Sequence, residues 1–562
     1  MQKKPKLGLF RKITGLHKKE LSNSRENEAI GLQKKEVHIN KKKFVPYVRP
    51  SMDELNKFLL FGVILVLFGF LVSSFNLDGS WQWVLWIGGA VIAINAFWLR
   101  FNFAQPFVWK YILTMMKTKH FINFIKNMAH HAKWFEYVCL GGMFLGFGIF
   151  GVDYWFYNRK KELGQKVSRG KRATIILFSA IVLALLFFFT MPIVYSVPIL
   201  QPLFWPSLVA FVFLGFGGMS LMILLGYGVL SVLSIFEAKQ LCPSIAPVIP
   251  GAPIPGFGVA IPLIGWVSLV IVLVVHEFSH GIMMAYYKEK IKSVGVLLAG
   301  IIPLGAFVEQ DDETFEKLDD KKSLMVLSAG SASNLLTIPI ALLVLFGFLF
   351  AVAPFVSNIN SEYAKAYDGV VITKVNDYVS LCGTDVNSPA KGKLFAGDVI
   401  KQLNGVDINS LTVVSAVFSK SKGDLNFTVL RLSRDTNDLV DVNVSVTPYT
   451  FVDLGVKKVG ADFAAVPTGY VIGHSIEVGQ FLIGNITMIL LLLVVIAFAA
   501  GSFNYFPADP FDGGRMAKII LLPYFGFLGF NKKETQKFIG RFFVWLLLVA
   551  LLLNMIPYAT MI

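Results

Sequence analysis

The chain of 562 residues is 55% hydrophobic and only 16% charged, with a formal net charge of +16. Soluble domains hold about 45–50% apolar and about 25% charged residues, so this balance excludes an ordinary soluble domain and points to the membrane. The three cysteines, Cys139, Cys242 and Cys382, are scattered and support neither a disulfide framework nor a cysteine metal site.

The chain opens on a basic tail, residues 1–50, in which Lys3, Lys4, Lys6, Arg11, Lys12, Lys18, Lys19 and Lys41 to Lys43 outnumber the carboxylates. Such a tail marks the cytoplasmic side of a membrane protein and suits anionic headgroups; no nucleic-acid partner is expected. No cleavable signal peptide is visible, so the first apolar run reads as an uncleaved anchor. A helix needs about 20 mostly apolar residues to cross the roughly 30 Å hydrocarbon layer. Such runs occupy 58–74, 81–98, 173–195, 204–236, 261–287, 324–355, 481–500 and 542–557, with a shorter one at 135–156. The expected fold class is a polytopic α-helical membrane protein with a small mixed α/β extramembrane domain inserted between its core helices.

Residues 51–242 make a first helix block, read as a scaffold or gate because no histidine or carboxylate cluster lies deep in its spans. His130 and His131 beside Lys133, and His474 ahead of a span, read as solvated histidines. Pro243 to Pro262 is too rich in proline and glycine for a regular helix and reads as a linker. A second membrane block covers 243–356 and 471–562, interrupted by a polar insert at 357–470.

Within the insert, period-2 alternation replaces long apolar runs. Val370 to Val375 and Val399 to Leu403 read as strands; Leu425 to Leu432 and Val440 to Thr447 read as a hairpin. The phrase Leu394-Phe-Ala-Gly-Asp-Val-Ile-Lys-Gln-Leu-Asn-Gly405, with tight turns at Gly397-Asp398 and Asn404-Gly405, resembles the core of a PDZ domain. That resemblance implies a peptide or C-terminus bound as an added strand at a sheet edge.

The run 261–287 contains His276-Glu277-Phe278-Ser279-His280. Residues four apart share one helix face, so both imidazoles can reach a single metal ion, with Glu277 beside them to take a proton from the attacking water. Ionisable groups inside a span cost about 2.5–3.5 kcal/mol on insertion scales, and no cation nearby in the sequence offsets them. Counting from Lys288, the pair lies about 12 Å inside the interface. Catalytic zinc normally takes three protein ligands and leaves one position open. The candidates for the third lie in the broken segment Gly501-Ser-Phe-Asn-Tyr-Phe-Pro-Ala-Asp-Pro-Phe-Asp-Gly-Gly-Arg515, where spacing alone leaves Asp509 and Asp512 open.

His276-Glu-x-x-His280, followed by Asn504-x-x-Pro507 and Asp512-Gly513, resembles the signature of site-2 proteases, peptidase family M50. Gly300-Ile-Ile-Pro-Leu-Gly-Ala-Phe-Val-Glu309 is similar to the segment after the zinc helix in the archaeal and eukaryotic members. Ala329-Gly-Ser-Ala-Ser-Asn334 is similar to their Gly-Pro-x-x-Asn motif, with Ser331 where proline is usual, and the PDZ-like insert falls where the family carries one. The resemblance runs from about Pro250 to the last residue. It implies one zinc ion held by His276, His280 and Asp512, Glu277 as general base, and Asn334 and Asn504 near the metal as substrate or oxyanion groups. It implies an intramembrane endopeptidase cutting transmembrane segments of membrane-anchored regulatory proteins. A transporter would spread ionisable residues through several spans, and a scaffold with structural zinc would leave Glu277 dispensable.

Lys288, Lys290 and Lys292 beside the zinc helix, and Arg515, Lys518, Lys532 and Lys533 after Asp512, place the site toward the cytoplasmic face of the cell membrane. Parity then requires 135–156 to cross, which puts the basic segment Arg159 to Arg172 outside, against the same charge rule.

Overall fold

The computed structural model describes residues 51–559 apart from 75–80, 102, 107–111, 237–249, 252–260, 312–314, 316, 382–383, 434–437 and 452–455. The basic tail, most of the proline- and glycine-rich stretch, Cys242, Cys382 and the hairpin turn at Arg434 lie outside the described residues. The chain divides into two compact units, Met1–Phe101 and Asn102–Ile562. In the first, α1 (Met52–Ser74) and α2 (Trp81–Arg100) pack together as an apolar hairpin.

The second unit opens with β1 (Gln105–Pro106), β2 (Thr114–Thr118) and α3 (His120–Ala129). Three long helices follow: α4 (Lys133–Asp153, continued by further helical turns to Glu162), α5 (Arg169–Thr190) and α6 (Phe204–Phe236). After the linker come α7 (Gly265–Tyr286), β3 (Ile291–Ala299), β4 (Ile302–Gln310) and α8 (Asp320–Ala366). Among the described residues seven helices, all in this unit, are long and apolar enough to cross a membrane. The chain is a multi-pass membrane protein.

Two of the seven do not run straight. Gly148 in α4 has φ 53° and ψ −138°, and Gly215 in α6 has φ 59° and ψ −151°. Only glycine occupies that region without a steric penalty, and there the backbone turns back on itself. A β-carbon on Gly151 would lie 3.0 Å from the Met143 carbonyl oxygen, whereas eight residues of straight helix span about 12 Å. A β-carbon on Gly226 would lie 2.5 Å from Leu203 in the same way. Both ends of α4 therefore reach the start of α8: Glu136 Oε1 is 2.6 Å from Lys321 Nζ, which stands 5.8 Å from the Trp155 ring centroid. The expectation that 135–156 crosses is corrected here, because the segment enters and returns. Arg159 to Arg172 therefore lies at the same end of these helices as Lys133. The two reversals also touch, since a β-carbon on Gly215 would run into the Leu145 carbonyl oxygen. They lie in a repeated pentapeptide, Phe144-Leu-Gly-Phe-Gly148 and Phe213-Leu-Gly-Phe-Gly217.

The first helix block also holds a buried carboxylate that the sequence reading passed over. Asp153 is 3% exposed. It accepts from Arg172 Nε and Nη2 at 2.8 and 2.7 Å, from Asn158 Nδ2 at 3.2 Å and from the Tyr524 hydroxyl at 2.5 Å.

After α7 the chain forms an antiparallel sheet in the order β1-β2-β3-β4. Strand β2 pairs along β3 from Thr114↔Leu298 to Thr118↔Val294, and β3 turns through Gly300 into β4. One edge of the β3–β4 hairpin is thus covered, and among the described residues no strand pairs with the outer edge of β4.

Helix α8 runs directly into the insert, where β5 (Tyr367–Val375), β6 (Val399–Leu403), α9 (Leu411–Lys420), β7 (Leu425–Leu432), β8 (Leu439–Val446) and β9 (Ala461–Pro467) follow. The sheet order is β8-β7-β6-β5-β9, with Val406–Asp407 pairing onto β6. Val370, Ile372, Phe427 and Val429 alternate inward into a separate core, and a register irregularity in β6 lets both Ile400 and Leu403 join them. Asp398 is buried and bound by Arg431 Nε and Nη2 at 2.8 and 2.7 Å. The chain returns to the membrane block in α10 (His474–Phe503), α11 (Asp512–Ile520) and α12 (Lys532–Asn554). Asn531 and Glu534 form a reciprocal cap at the start of α12.

Candidate metal centre

His276 and His280 sit one turn apart on α7, with ring centroids 4.8 Å apart. Helix α10 ends at Phe503, and the chain breaks through Pro507 and Pro510 before α11 begins at Asp512. Backbone bonds across that break include Gly513 N–H to the Asn504 carbonyl at 2.7 Å and Gly514 N–H to the Phe511 carbonyl at 3.0 Å. They deliver the Asp512 carboxylate to the histidines. Its Oδ2 lies 3.2 Å from the Nε2 atoms of both His276 and His280, which are themselves 3.2 Å apart. Asp509, the alternative on spacing, points elsewhere and pairs with Lys518 Nζ at 2.6 Å.

The triangle suits a zinc ion. Ligand bonds of about 2.0–2.2 Å in a tetrahedron put ligand atoms roughly 3.3–3.6 Å apart, close to the observed edges. Among the described residues this is the one cluster of three metal-binding side chains. The far ring nitrogens are also engaged, as metal-binding histidines require. His280 Nδ1 lies 2.7 Å from the Val326 carbonyl, which only accepts, so Nδ1 carries the proton and Nε2 offers its lone pair. His276 Nδ1 lies 3.1 Å from the Asn334 side-chain amide, whose Oδ1 is buried without a hydrogen-bond partner. Turned end for end, the amide gives that oxygen the Nδ1 proton and leaves His276 Nε2 free for a metal.

Gly330 borders the candidate site, and sequence reasoning missed it. A β-carbon there would lie 2.5 Å from Nε2 of both histidines, so only glycine leaves room for the rings. The available signal was a glycine one turn before Asn334, on the same face of α8. Ser331, where proline is usual in the resembled motif, is fully buried, and its Oγ has no hydrogen-bond partner. Asn504 stands in the loop leading to Asp512, and its side chain makes no hydrogen bond among the described residues; its carbonyl supports the turn. Glu277 extends toward the sheet, where a carboxylate oxygen accepts the Val308 N–H at 3.1 Å.

A sequence profile of peptidase family M50 matches residues 264–558, more than half of the chain, and spans α7 through α12. A protein of Methanocaldococcus jannaschii described only as uncharacterized is 36% identical over 156 residues, covering 28% of this chain and 35% of that protein. The chain thus spans about a third of the length of this relative. With this match the chain belongs to peptidase family M50, the site-2 protease family of zinc-dependent membrane metallopeptidases.

Proposed function

We propose that the protein is an intramembrane zinc endopeptidase that cuts transmembrane segments of membrane-anchored regulatory proteins. The observation that supports this most directly is the convergence of His276, His280 and Asp512 beside Glu277, next to an open sheet edge. His276, His280 and Asp512 hold the metal in this reading. Zinc, when bound there, supplies Lewis-acid chemistry that makes water a nucleophile near neutral pH.

Glu277 accepts the proton of the attacking water and returns it to the leaving amine. Strand β4 holds the substrate in extended form, since helical amides are otherwise hidden in their own ladder. Asn504, with its side chain uncommitted in the loop before Asp512, steadies the substrate carbonyl. Asn334 acts through His276 instead. Buried His276, the largely covered His280 and the apolar walls of α7, α8 and α10 limit bulk water, which strengthens each of these polar contacts.

The insert serves as a PDZ-like peptide filter. A groove of about 920 Å³ lies between α9 and the edge strand β9, lined by Val414, Phe418, Lys457, Gly460, Ala461 and Phe463. A peptide or C-terminus adds there as a further strand. The basic residues flanking the site put it toward the cytoplasmic face, with the insert outside.

The test is incubation of the purified protein with membrane-anchored substrates, comparing wild type, Glu277→Gln and a zinc chelator. Cleavage by wild type alone supports the reading. Equal cleavage in all three ends it.

A further inference from the structure

The Glu277 carboxylate is not idle in the free protein. Its one hydrogen bond among the described residues comes from the backbone of Val308 in β4. Val308 pairs with Val294 in the β3 ladder. In an antiparallel pair each residue turns its N–H and C=O either both toward the partner strand or both away from it. Because the Val308 N–H reaches Glu277, it points away from β3, into the open edge. The same alternation aims the Ala306 N–H to that side. With β2 covering the other side of the hairpin, β4 is the edge strand of this sheet that lies against the candidate metal site.

An added strand uses outward N–H groups at alternate residues, so Val308 is one of its anchor points. We propose that Glu277 and an incoming substrate strand compete for the Val308 N–H, so that docking on β4 releases the carboxylate toward the metal site. The inference rests on reading β4 as the substrate strand and Glu277 as the base. It adds that the base is tethered until substrate takes its place. The tether holds Glu277 at a fixed rotamer in the free protein and ties its release to correct strand register. The contact is part-buried, where an N–H left without an acceptor is costly. One acceptor must replace the other, which makes the exchange selective for a substrate carbonyl at that point of the strand. Helical segments, which offer no free carbonyl, leave the tether closed.

The probe is a fluorescein-labelled hexapeptide of alternating valine and glycine, titrated against the purified full chain in detergent micelles. Glu277→Ala removes the competitor, whereas Glu277→Gln keeps an oxygen that can accept from Val308. The Ala variant is expected to bind about tenfold more tightly than the Gln variant, the weight of a single hydrogen bond. Glu277→Asp, one methylene shorter, keeps the charge but withdraws the oxygen, and is expected to bind like the Ala variant. Hydrogen exchange at Val308 should be faster in the Ala and Asp variants than in the Gln variant, and slow again when peptide is added. Equal affinities across the three, or equal exchange at Val308, would overturn the competition. Cleavage by wild type is read separately: its absence would end the protease reading, while equal affinities would end only the tether.

Discussion

The Asn334 side-chain amide stands 3.1 Å from His276 Nδ1, on the side of the ring away from Asp512. The contact decides which nitrogen of His276 carries a proton, and so whether Nε2 can hold a metal. Asn334→Leu, similar in volume and without an acceptor, should weaken zinc binding by about 10- to 100-fold. Asn334→Asp keeps an acceptor for the Nδ1 proton and should bind zinc more tightly than the Leu variant. Zinc competition titrations read this directly; equal affinity in all three proteins would remove Asn334 from the site.

Gly330 makes a sharper prediction, because the space it leaves is shared by both rings. In Gly330→Ala the new methyl would overlap two Nε2 atoms at 2.5 Å, and α8 backbone atoms have little freedom to withdraw. The variant should fold, since the clash is confined to the ring tips, but its zinc content after purification should fall at least tenfold. Near-stoichiometric zinc would mean that the helices separate more easily than their packing suggests.

Asp512 and Asp509 are three residues apart, yet their surroundings differ. Asp512 Oδ2 completes the triangle with the histidines, and Asp509 is paired to Lys518 near Gly540. Asp512→Asn should abolish tight zinc binding, whereas Asp509→Asn should leave zinc content unchanged and cost under 1 kcal/mol, as expected for a partly exposed pair. Metal analysis of the two purified variants tests this pairwise. The reverse pattern would assign the third ligand to Asp509.

Legibility followed the range of each interaction. Strands β6 and β7 begin and end where the alternation of Val399 to Leu403 and Leu425 to Leu432 indicates, because their pattern is local. The histidine pair on α7 was readable for the same reason, as both rings lie within one turn. Asp512 needed a resemblance, since 232 residues separate it from His280 and spacing carries no information over that distance. The reversals in α4 and α6 were hidden because an apolar run of about 20 residues looks alike whether it crosses or returns; the glycine pairs in the repeated pentapeptide were the only hint. The pairing of β2 with β3 joins segments far apart in the chain, and nothing in Thr114–Thr118 announces its partner.

Asp153 connects the returning half of α4 to the part of the chain that follows Asp512. Its four donors come from Asn158 on the same arm, Arg172 at the start of α5 and Tyr524 just beyond α11. A buried carboxylate so bound is stabilising only while all partners remain, because each loss leaves an uncompensated polar group. Asp153→Asn should therefore destabilise the protein by about 3 kcal/mol, the lower end for a broken buried pair, since Arg172 keeps partial access to water. Tyr524→Phe removes one bond to a charged group and should cost about 1.5–3 kcal/mol. Thermal unfolding in micelles measures both. The combined Asp153→Asn, Tyr524→Phe variant should cost clearly less than the sum, because the second change removes a partner that the first has already weakened. Simple additivity would show that the two groups act independently, and that the first helix block does not anchor the α11 end of the candidate site through this carboxylate.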